Sequence, residues 1–409
     1  MTMKMTMQNN RWALALWLCW GLCLPATAQW DELLAETDAA PWQAGLCVRD
    51  LDADSVLVAY NAQKLMRPAS TQKVLTAVAA LDQLGKEHAF ATRAYYSGTI
   101  EDGVLQGDVR LVGGYDPLLS YADVKAVAGG LRALGVDSVA GLVIGDVSMT
   151  QYKMLGSGWC WDDVPSNVVP YLSPLFFNHE QSILDADGDF LAQPEAYLMD
   201  VLVREMRALG VRLAPNVVRI SFDGTGQPGT LFYEQRRTLE QVLQQMLKRS
   251  DNLHAEAVFA HLGAAQHAQA TQEDCADALT AALGRMGIAA TALNVADGSG
   301  LSLYNYVAPQ ALVDVLAYAY RHPALFDTLY PALPVAGVDG TLARRMKGSP
   351  AYRNVHAKTG TLTGVHTLAG YVRAANGHLL AFAIMANGAM EGKAARAWQD
   401  KVCAILAQM

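Results

Sequence analysis

The sequence predicts an α+β fold, in which helices flank an antiparallel sheet and a smaller α+β domain is inserted into the larger one. Three observations support this prediction. Residues 44–60 have the pattern of a β-hairpin, three further strand patterns lie within residues 355–385, and short strands and helices alternate over residues 90–235. We expect the two ends of the chain to form one sheet and the middle to form the inserted domain.

The first 28 residues have the pattern of a secretory signal peptide. Lys4 and Arg11 precede an apolar run over residues 12–24, and a short stretch ending at Ala28 follows. The apolar run is shorter than the about 20 residues that a membrane-spanning helix needs. We therefore predict cleavage of residues 1–28, a periplasmic protein and no membrane span.

Residues 29–88 are predicted to begin the larger domain. Within them, residues 44–50 and 56–60 are predicted as two strands around a polar turn. Residues 70–84 then carry Ala, Leu and Val at helical spacing, and Gly85 ends the pattern. A helix is therefore expected to begin at the first motif of the chain, Ser-x-x-Lys.

Ser70 and Lys73 form that motif and lie on the same face of the predicted helix. A serine hydroxyl becomes a good nucleophile when a base takes its proton, and a lysine can be that base only if its ammonium form is disfavoured. Burial and a second cation both have this effect, and Lys358 is the candidate cation. The alternative is a surface lysine one turn after a serine that caps the helix.

Residues 89–235 are predicted as the inserted domain, because the residues that complete the motif set lie beyond them. Strand and helix patterns alternate throughout this segment. The predicted strands cover residues 92–98, 108–112 and 140–145, and the predicted helices cover residues 122–134 and 195–209.

Residues 236–409 are predicted to complete the larger domain. Helical patterns cover residues 239–248 and 254–262. The pair Asn376-Gly377 is a strong signal for a two-residue hairpin turn. The strands and the final helix near this turn are predicted over residues 355–361, 365–373, 378–385 and 392–408.

Ser250 and Asn252 form the second motif, Ser-x-Asn, between the two predicted helices. Ser250 can relay a proton between Lys73 and a leaving nitrogen. The amide of Asn252 can hold both Lys73 and a carbonyl of the substrate. The alternative is a polar cap at the start of the second helix.

Lys358-Thr359-Gly360-Thr361 forms the third motif, on the first strand of the C-terminal group. Gly360 lets a ligand approach the strand backbone. A substrate that ends in a carboxylate could lie along the strand and meet Lys358 and the hydroxyls of Thr359 and Thr361. The backbone N–H groups of Ser70 and Thr361 would then form an oxyanion hole.

Composition and charge exclude some classes of function. The formal net charge is -8, and loss of the predicted signal peptide, with two basic residues and no acid, would make it -10. A protein of this charge repels a phosphate backbone, so nucleic acid is not an expected partner. Hydrophobic residues make up 52% of 409, which is enough for a large core and favours two or more domains.

The cysteines argue against a zinc site. No Cys-x-x-Cys pair occurs among the four that follow the predicted signal peptide. Two interpretations of them stay open, a disulfide between Cys47 and Cys403 or buried free thiols. The four residues are Cys47, Cys160, Cys275 and Cys403.

The three motifs follow one another in the order seen in penicillin-binding proteins and serine β-lactamases. Longer segments resemble one family in particular, the D-alanyl-D-alanine carboxypeptidase/endopeptidase family, which comprises the class C low-molecular-mass penicillin-binding proteins of peptidase family S13. The segments that are similar to this family include residues 158–163, 297–302, 333–342, 345–347, 357–365, 370–372 and 387–388.

The resemblance implies a transpeptidase-type domain like that of penicillin-binding proteins and serine β-lactamases, and a serine DD-peptidase activity. Ser70 would attack the carbonyl between two D-alanines of a peptidoglycan stem peptide, and water would hydrolyse the acyl-enzyme. The same linkage in cross-linked peptides could be cut as an endopeptidase reaction. β-Lactam antibiotics should also acylate Ser70, and no metal or organic cofactor is needed.

Two positions bear on recognition of the stem peptide. Asp163 matches a position where the family has an acid that contacts the amino group of the diamino acid, and the alternative is an ordinary loop aspartate. Leu303 stands where the family usually has an arginine that pairs with a substrate carboxylate. Side-chain recognition is therefore expected to differ from that of the family.

Two other functions compete with the peptidase. A β-lactamase would share the acylation step and add fast deacylation, but the long family-like segments favour the peptidase. A peptidoglycan-binding protein without turnover would keep the pocket but not need its chemistry. The intact set of Ser70, Lys73, Ser250, Asn252 and Lys358 argues against this second rival.

Overall fold

The computed structural model describes residues 26–151, 155–160, 169, 171–176, 193–226 and 229–409. Within these residues, the α-helices are α1 (Ala26–Asp38), α2 (Gln72–Leu84), α3 (Tyr121–Ala133), α4 (Pro194–Ala208), α5 (Leu239–Arg249), α6 (Asn252–Ala264), α7 (Gln272–Arg285), α8 (Pro309–Arg321), α9 (Pro323–Ala332) and α10 (Gly392–Leu406). The strands are β1 (Gln43–Asp50), β2 (Ser55–Tyr60), β3 (Ala89–Tyr96), β4 (Thr99–Glu101), β5 (Val104–Gln106), β6 (Val109–Val112), β7 (Ser138–Val139), β8 (Val143–Asp146), β9 (Arg212–Leu213), β10 (Val218–Ser221), β11 (Thr230–Thr238), β12 (Leu293–Asn294), β13 (Tyr306–Val307), β14 (His356–Leu362), β15 (Val365–Arg373) and β16 (Leu379–Asn387).

The main sheet joins the two ends of the chain, as the sequence predicts. Its strand order is β14-β15-β16-β1-β2, and the pairs are antiparallel. The link between the ends is the pair β1 and β16, which runs in register from Gln43 opposite Asn387 to Asp50 opposite Leu380. A turn at Asn376-Gly377 connects β15 to β16, and Gly377 has a positive φ of 91°. The predicted two-residue turn is wrong in length, because Arg373 lies opposite Leu379 and the backbone nitrogen of Ala374 donates to the carbonyl of His378, which leaves a three-residue loop over residues 375–377.

Helices cover both faces of the main sheet. One face packs against α8, which in turn contacts α2, and the other face packs against α10. Successive side chains of β16 alternate between these layers, because side chains along a strand point to opposite faces. Ala383 and Met385 join the core on the α8 side, and Phe382 and Ile384 join the core on the α10 side. This layered arrangement confirms the predicted fold class.

The same alternation decides between the two interpretations of the cysteines. Cys47 of β1 belongs to the core on the α8 side of the sheet, and Cys403 of α10 belongs to the core on the other side. Both are buried free thiols, so the possible disulfide between them is wrong. Burial raises the pKa of the Cys47 thiol to about 12, which leaves it unreactive at neutral pH.

A second sheet and its own core occupy the middle of the chain. The strand order is β10-β8-β6-β3-β11, and a smaller sheet has the order β4-β5-β7-β9. The helices α3 and α4 pack on each other and on these strands around a separate hydrophobic core. The predicted division at residues 88 and 235 stays a prediction. Strand β11 continues past residue 235 to Thr238, and α5 begins at the next residue.

The predicted signal peptide lies mostly outside the described residues. Most of the predicted signal peptide, residues 1–25, lies outside the described part of the chain, and residues 26–28 belong to α1. Among the residues that are described, none of the helices is long and apolar enough to span a membrane. Cleavage of residues 1–28 therefore stays a prediction.

Candidate active site

Ser70 lies in a tight 3-10 turn, Ala69–Thr71, directly before α2. Ala69 has a positive φ of 46°, a conformation that costs a residue with a side chain about 1–3 kcal/mol. The turn is held to the main sheet because Thr367 of β15 donates a hydrogen bond of 2.6 Å to the carbonyl of Pro68. This anchoring presents Ser70 at the edge of the sheet. The strained residue beside Ser70 is typical of a functional site, because backbone strain is most often found at such sites.

Gly360 of β14 makes the close approach of the strand to Ser70 possible. A Cβ atom at this position would lie 2.1 Å from Oγ1 of Thr367 and 2.9 Å from the backbone nitrogen of Ser70. Any larger residue would push β14 away from the turn. The close approach at Gly360 is therefore made by the turn of Ser70, and the predicted approach of a ligand to this backbone stays a prediction.

Lys73 is fully buried and lies at the centre of the site. Its ammonium group donates hydrogen bonds to Oγ of Ser70 at 2.9 Å, to Oδ1 of Asn252 at 2.6 Å and to the carbonyl of Ser299 at 2.7 Å. Burial lowers the pKa of Lys73 to about 8, against the opposing effect of three carboxylates. A lysine with this pKa can accept the proton of a serine hydroxyl near neutral pH.

Ser250 and Asn252 are placed by the sharp connection between α5 and α6. Ser250 ends α5 in the left-handed conformation, with a φ of 63°. Asp251 caps α6, and its side chain accepts a hydrogen bond from the backbone nitrogen of His254. The alternative of a helix cap is thus correct for Asp251, and that cap turns Ser250 and Asn252 into the cleft.

Lys358 of β14 is the second fully buried lysine. Its ammonium group donates to Oγ of Ser250 at 2.7 Å and to the carbonyl of Thr359 at 2.6 Å. Burial, and then repulsion by Lys73, hold the pKa of Lys358 well below its usual value. Each lysine therefore donates a hydrogen bond to the hydroxyl of one motif serine: Lys73 donates to Ser70, and Lys358 donates to Ser250.

These groups line a cleft of about 270 Å³ beside the edge strand β14. The first residues of β14 are covered, since Val335 pairs with His356, while Thr359 and Thr361 face the cleft. An extended peptide can add to such an edge as a further strand. The lining residues are Ser70, Ser250, Asn252, Gly300, Leu301, Thr341, Thr359, Thr361 and Leu362.

The structure also places Thr341 in the cleft, a residue without a role in the sequence analysis. Oγ1 of Thr359 donates a hydrogen bond of 2.7 Å to Oγ1 of Thr341. Thr341 lies in a short 3-10 turn, Gly340–Leu342, and Asp339, the residue before this turn, forms an ion pair of 2.7 Å with Lys248 of α5. The segment 333–342 was recognised only as family-like, and its threonine gave no further signal.

A second group that the sequence analysis did not assign lies behind Lys73. Asp297 and Glu256 are fully buried, and the loop of residues 297–302 supplies the carbonyl of Ser299 that Lys73 contacts. Glu256 lies one helical turn after Asn252 on α6. The spacing of these two residues in the sequence therefore indicates that they share one face of the helix.

Of the two positions that bear on recognition of the stem peptide, only Leu303 is among the described residues. Asp163 lies outside the described residues. Leu303 is half-buried and its backbone nitrogen donates a hydrogen bond of 3.1 Å to the carbonyl of Gly158. Recognition of the diamino acid therefore stays a prediction.

The fold and the cleft define a penicillin-binding-protein type of serine enzyme, with Ser-x-x-Lys at a helix start and Lys-Thr-Gly on a sheet edge. The sequence model of the D-Ala-D-Ala carboxypeptidase 3 (S13) family matches residues 26–189 and 190–409, and the chain belongs to this family. The predicted family and the predicted enzyme class, a serine-type D-Ala-D-Ala carboxypeptidase, are confirmed.

Individual relatives cover most of this chain. It is 28% identical to D-alanyl-D-alanine carboxypeptidase DacB of Haemophilus influenzae, over 85% of this chain and 86% of the relative. It is 30% identical to carboxypeptidase DacB of Mycolicibacterium smegmatis, over 88% and 79%. The family resemblance thus extends over both the larger domain and the middle of the chain.

Solved structures support the fold. The crystal structure of penicillin binding protein 4 (dacB) from Haemophilus influenzae is similar with a TM-score of 0.82 and 24% identity, over 94% of this chain and 100% of that chain. A predatory peptidoglycan endopeptidase from Bdellovibrio bacteriovorus, Bd3459, is similar with a TM-score of 0.57 and 18% identity, over 89% and 92%. At these identities the structural likeness concerns the fold alone.

Proposed function

We propose that this protein is a serine DD-peptidase that cleaves the bond between two D-alanines at the end of peptidoglycan stem peptides, with Ser70 as the nucleophile. One observation supports this most strongly. The fully buried ammonium group of Lys73 contacts both Oγ of Ser70 and Oδ1 of Asn252, so nucleophile, base and amide meet at one point.

In the acylation step, Oγ of Ser70 attacks the carbonyl carbon while Lys73 takes the hydroxyl proton. The carbonyl oxygen becomes negative and accepts hydrogen bonds from the backbone N–H groups of Ser70 and Thr361. The proton then passes from Lys73, with Ser250 as relay, to the nitrogen of the leaving D-alanine. The C–N bond breaks, and Ser70 carries the acyl group until water hydrolyses the ester.

The terminal carboxylate of the substrate is recognised at β14. Lys358 is fully buried, so its positive charge acts from behind the hydroxyl of Ser250 and the carbonyl of Thr359. The direct hydrogen bonds to the carboxylate come from hydroxyl groups that line the cleft, those of Thr359, Thr361 and Thr341. The sequence predicts that Lys358, Thr359 and Thr361 all meet the carboxylate; in this assignment the direct contacts come from the threonines alone, with Thr341 added to them.

Two further substrates share the chemistry of this site. A cross-link between stem peptides contains the same D-D linkage, so the enzyme also acts as an endopeptidase when the chain beyond the bond fits the cleft. A β-lactam presents a strained amide and a carboxylate to the same groups and acylates Ser70. Among the relatives, the penicillin binding protein 4 of Haemophilus influenzae has been solved in complex with a β-lactam.

The protein is further proposed to act in the periplasm after loss of its first 28 residues. The positively charged start and short apolar run of those residues support this proposal. Sequencing the N-terminus of the protein recovered from cells tests it, since the mature chain should begin at Gln29.

One experiment separates the peptidase from its rivals. The purified protein is incubated with a stem pentapeptide that ends in D-Ala-D-Ala and, separately, with a penicillin, and the products of both incubations are weighed by mass spectrometry. Release of one D-alanine is expected, with no release by Ser70→Ala. A covalent penicillin adduct without D-alanine release would favour the binding protein, and rapid turnover of penicillin would favour the β-lactamase.

A further inference from the structure

The carboxylate of Asp297 is buried in a cage of neutral donors behind Lys73. Each of its oxygens accepts two hydrogen bonds, and the residue has no exposed surface. The four N–H donors therefore occupy the lone pairs of both carboxylate oxygens. The donors are the backbone nitrogens of Gly300 at 2.7 Å and Ser302 at 2.6 Å, Nδ2 of Asn305 at 2.7 Å and Nε1 of Trp159 at 2.9 Å.

A single peptide group connects this carboxylate to Lys73. The N–H of the peptide between Ser299 and Gly300 donates to Oδ1 of Asp297 at 2.7 Å. The C=O of the same peptide accepts from the ammonium group of Lys73 at 2.7 Å. Hydrogen bonds in such a chain polarise one another, so the anion strengthens the carbonyl as an acceptor for the cation.

The loop that carries this peptide is fixed against the nucleophile. Gly300 has a positive φ of 84°, and a Cβ atom there would lie 1.8 Å from the carbonyl oxygen of Ala69. The loop therefore packs directly on the turn that holds Ser70. This contact and the cage around Asp297 hold the loop beside Lys73 and Ser70.

We infer that Asp297 is a positioning residue for Lys73, which acts through the peptide of Ser299 and Gly300 as the orienting third group acts on the base of a catalytic triad. The inference rests on the proposed function. When the O–H bond of Ser70 breaks and its proton moves to Lys73, the new ammonium is stabilised by the carbonyl that Asp297 polarises. The proton later leaves Lys73 for the departing nitrogen, which restores the neutral amine.

Other titratable groups face Lys73 from the elements around it. They are Lys358 on β14, Glu256 on α6 and Asp251 at the cap of α6. Burial lowers the pKa of Lys73 to about 8, and Asp297 is the strongest of the three carboxylates that oppose this decrease.

Glu256 is a matched control, because it contacts the same loop through a different peptide. Its carboxyl group accepts a hydrogen bond of 2.9 Å from the backbone nitrogen of Ser299. The carbonyl of that peptide belongs to Gly298 and accepts from the hydroxyl of Thr76 at 2.7 Å, so it does not face Lys73. Burial raises the pKa of Glu256 to about 8, so Glu256 carries a proton over much of the neutral range.

The test measures the rate of acylation by a fluorescent penicillin between about pH 5 and about pH 10, for the full-length protein and for Asp297→Asn. We expect the maximal rate to fall by about 100-fold, because the ammonium formed in the transition state loses its anion. We also expect the rising limb of the pH profile to move to lower pH by about one unit or more. Glu256→Gln should move the limb less than Asp297→Asn does.

A merely structural role would slow acylation without moving the limb. Trp159→Phe provides this comparison, since it removes one donor to Asp297 and keeps the charge. Thermal melting reports whether each variant folds. If Asp297→Asn does not fold, Asp297→Asn combined with Trp159→Phe replaces it, because phenylalanine removes a donor that would face the new amide.

The outcomes are distinct. A limb that moves in Asp297→Asn and not in Trp159→Phe supports the inference. A limb that superposes on that of the wild type overturns it, however slow the variant is. If the wild-type protein is not acylated at any pH, the proposed function fails first; if it is acylated and the limb stays in place, only the inference fails.

Discussion

The two sides of the cleft each bury a lysine beside a serine, and they differ in the charges around that lysine. On the helix side, Lys73 contacts Ser70 and has three carboxylates nearby. On the strand side, Lys358 contacts Ser250, and its charged neighbour is Lys73 itself. Both lysines have lost the same contact with water, so the surrounding charges decide how each is used.

This difference assigns the roles. The carboxylates keep the pKa of Lys73 at about 8, where a base can both take and return a proton. The strand side has no such compensation among the described residues, so the charged form of Lys358 is disfavoured until a substrate carboxylate binds nearby and stabilises it. Burial alone therefore does not make a lysine catalytic. Both lysines are buried, but Lys73 is suited to proton transfer and Lys358 to recognition of a carboxylate.

The largest expected effect is on the nucleophile that the helix side activates. Ser70→Ala removes the acyl acceptor, and acylation by penicillin should fall by more than about 10,000-fold. Intact-protein mass spectrometry should find no adduct. Ser55→Ala changes an exposed serine at the start of β2 and should be acylated as the wild type is. An adduct on Ser70→Ala would assign the nucleophile to another residue.

The second prediction exchanges the lysines, one at a time, for an apolar side chain of similar length. Lys73→Met should lower kcat by about 1,000-fold, because no other base contacts Ser70 among the residues that the structure describes. Lys358→Met should mainly raise KM for substrates with a free terminal carboxylate, with a loss of about 100-fold in kcat/KM. Steady-state kinetics with a D-Ala-D-Ala peptide measures both.

A capped substrate sharpens this comparison of the two lysines. With a peptide whose terminal carboxylate is replaced by an amide, the loss of kcat/KM in Lys358→Met should be smaller, because the substrate then has no negative charge for Lys358 to stabilise. The penalty of Lys73→Met should stay the same. Equal penalties for both substrates in Lys358→Met would contradict the division of roles.

The third prediction concerns pH. Acylation requires neutral Lys73, whose pKa is lowered to about 8, so the rate should rise with pH through about 8 and level off above it. Below that value each unit of pH should cost about tenfold, since the neutral fraction falls by that factor. Stopped-flow acylation with a chromogenic β-lactam at constant ionic strength measures the profile, and a rate independent of pH would argue against Lys73 as base.

Much of the strand side was predictable from the sequence, because its signals are local. The alternation within β15 and β16 and the Asn376-Gly377 turn predict a hairpin, and Gly360 in the motif predicts a close backbone approach. The start of α2 was predicted to within two residues, because the expected start was Ser70 and α2 begins at Gln72, after the 3-10 turn that holds Ser70.

The helix side holds what the sequence could not supply. Lys73 contacts a backbone carbonyl of Ser299, 226 positions away, and a loop carbonyl leaves no periodic or compositional trace in the chain. Asp297 was recognised only within a family-like segment, because its four donors are assembled by folding. Whether Cys47 could pair with Cys403 depended on which face of the main sheet its side chain occupies. Because side chains alternate along a strand, a shift of one residue in the register of β1 would place Cys47 on the opposite face.

The smallest expected effect tests how far the recognition side extends beyond β14. Thr341→Val keeps the size of the side chain and removes the hydroxyl that accepts from Thr359, so kcat/KM for a D-Ala-D-Ala peptide should fall about tenfold, the effect of one hydrogen bond to a charged group. Most of the change should be in KM, because the hydroxyl contacts the substrate end that does not react. Thr363→Val, at an exposed position beyond the cleft, is the matched control and should change neither constant. A tenfold loss in kcat at unchanged KM would instead place Thr341 with the groups that act on the reacting bond, and the boundary between the two sides of the cleft would have to be redrawn.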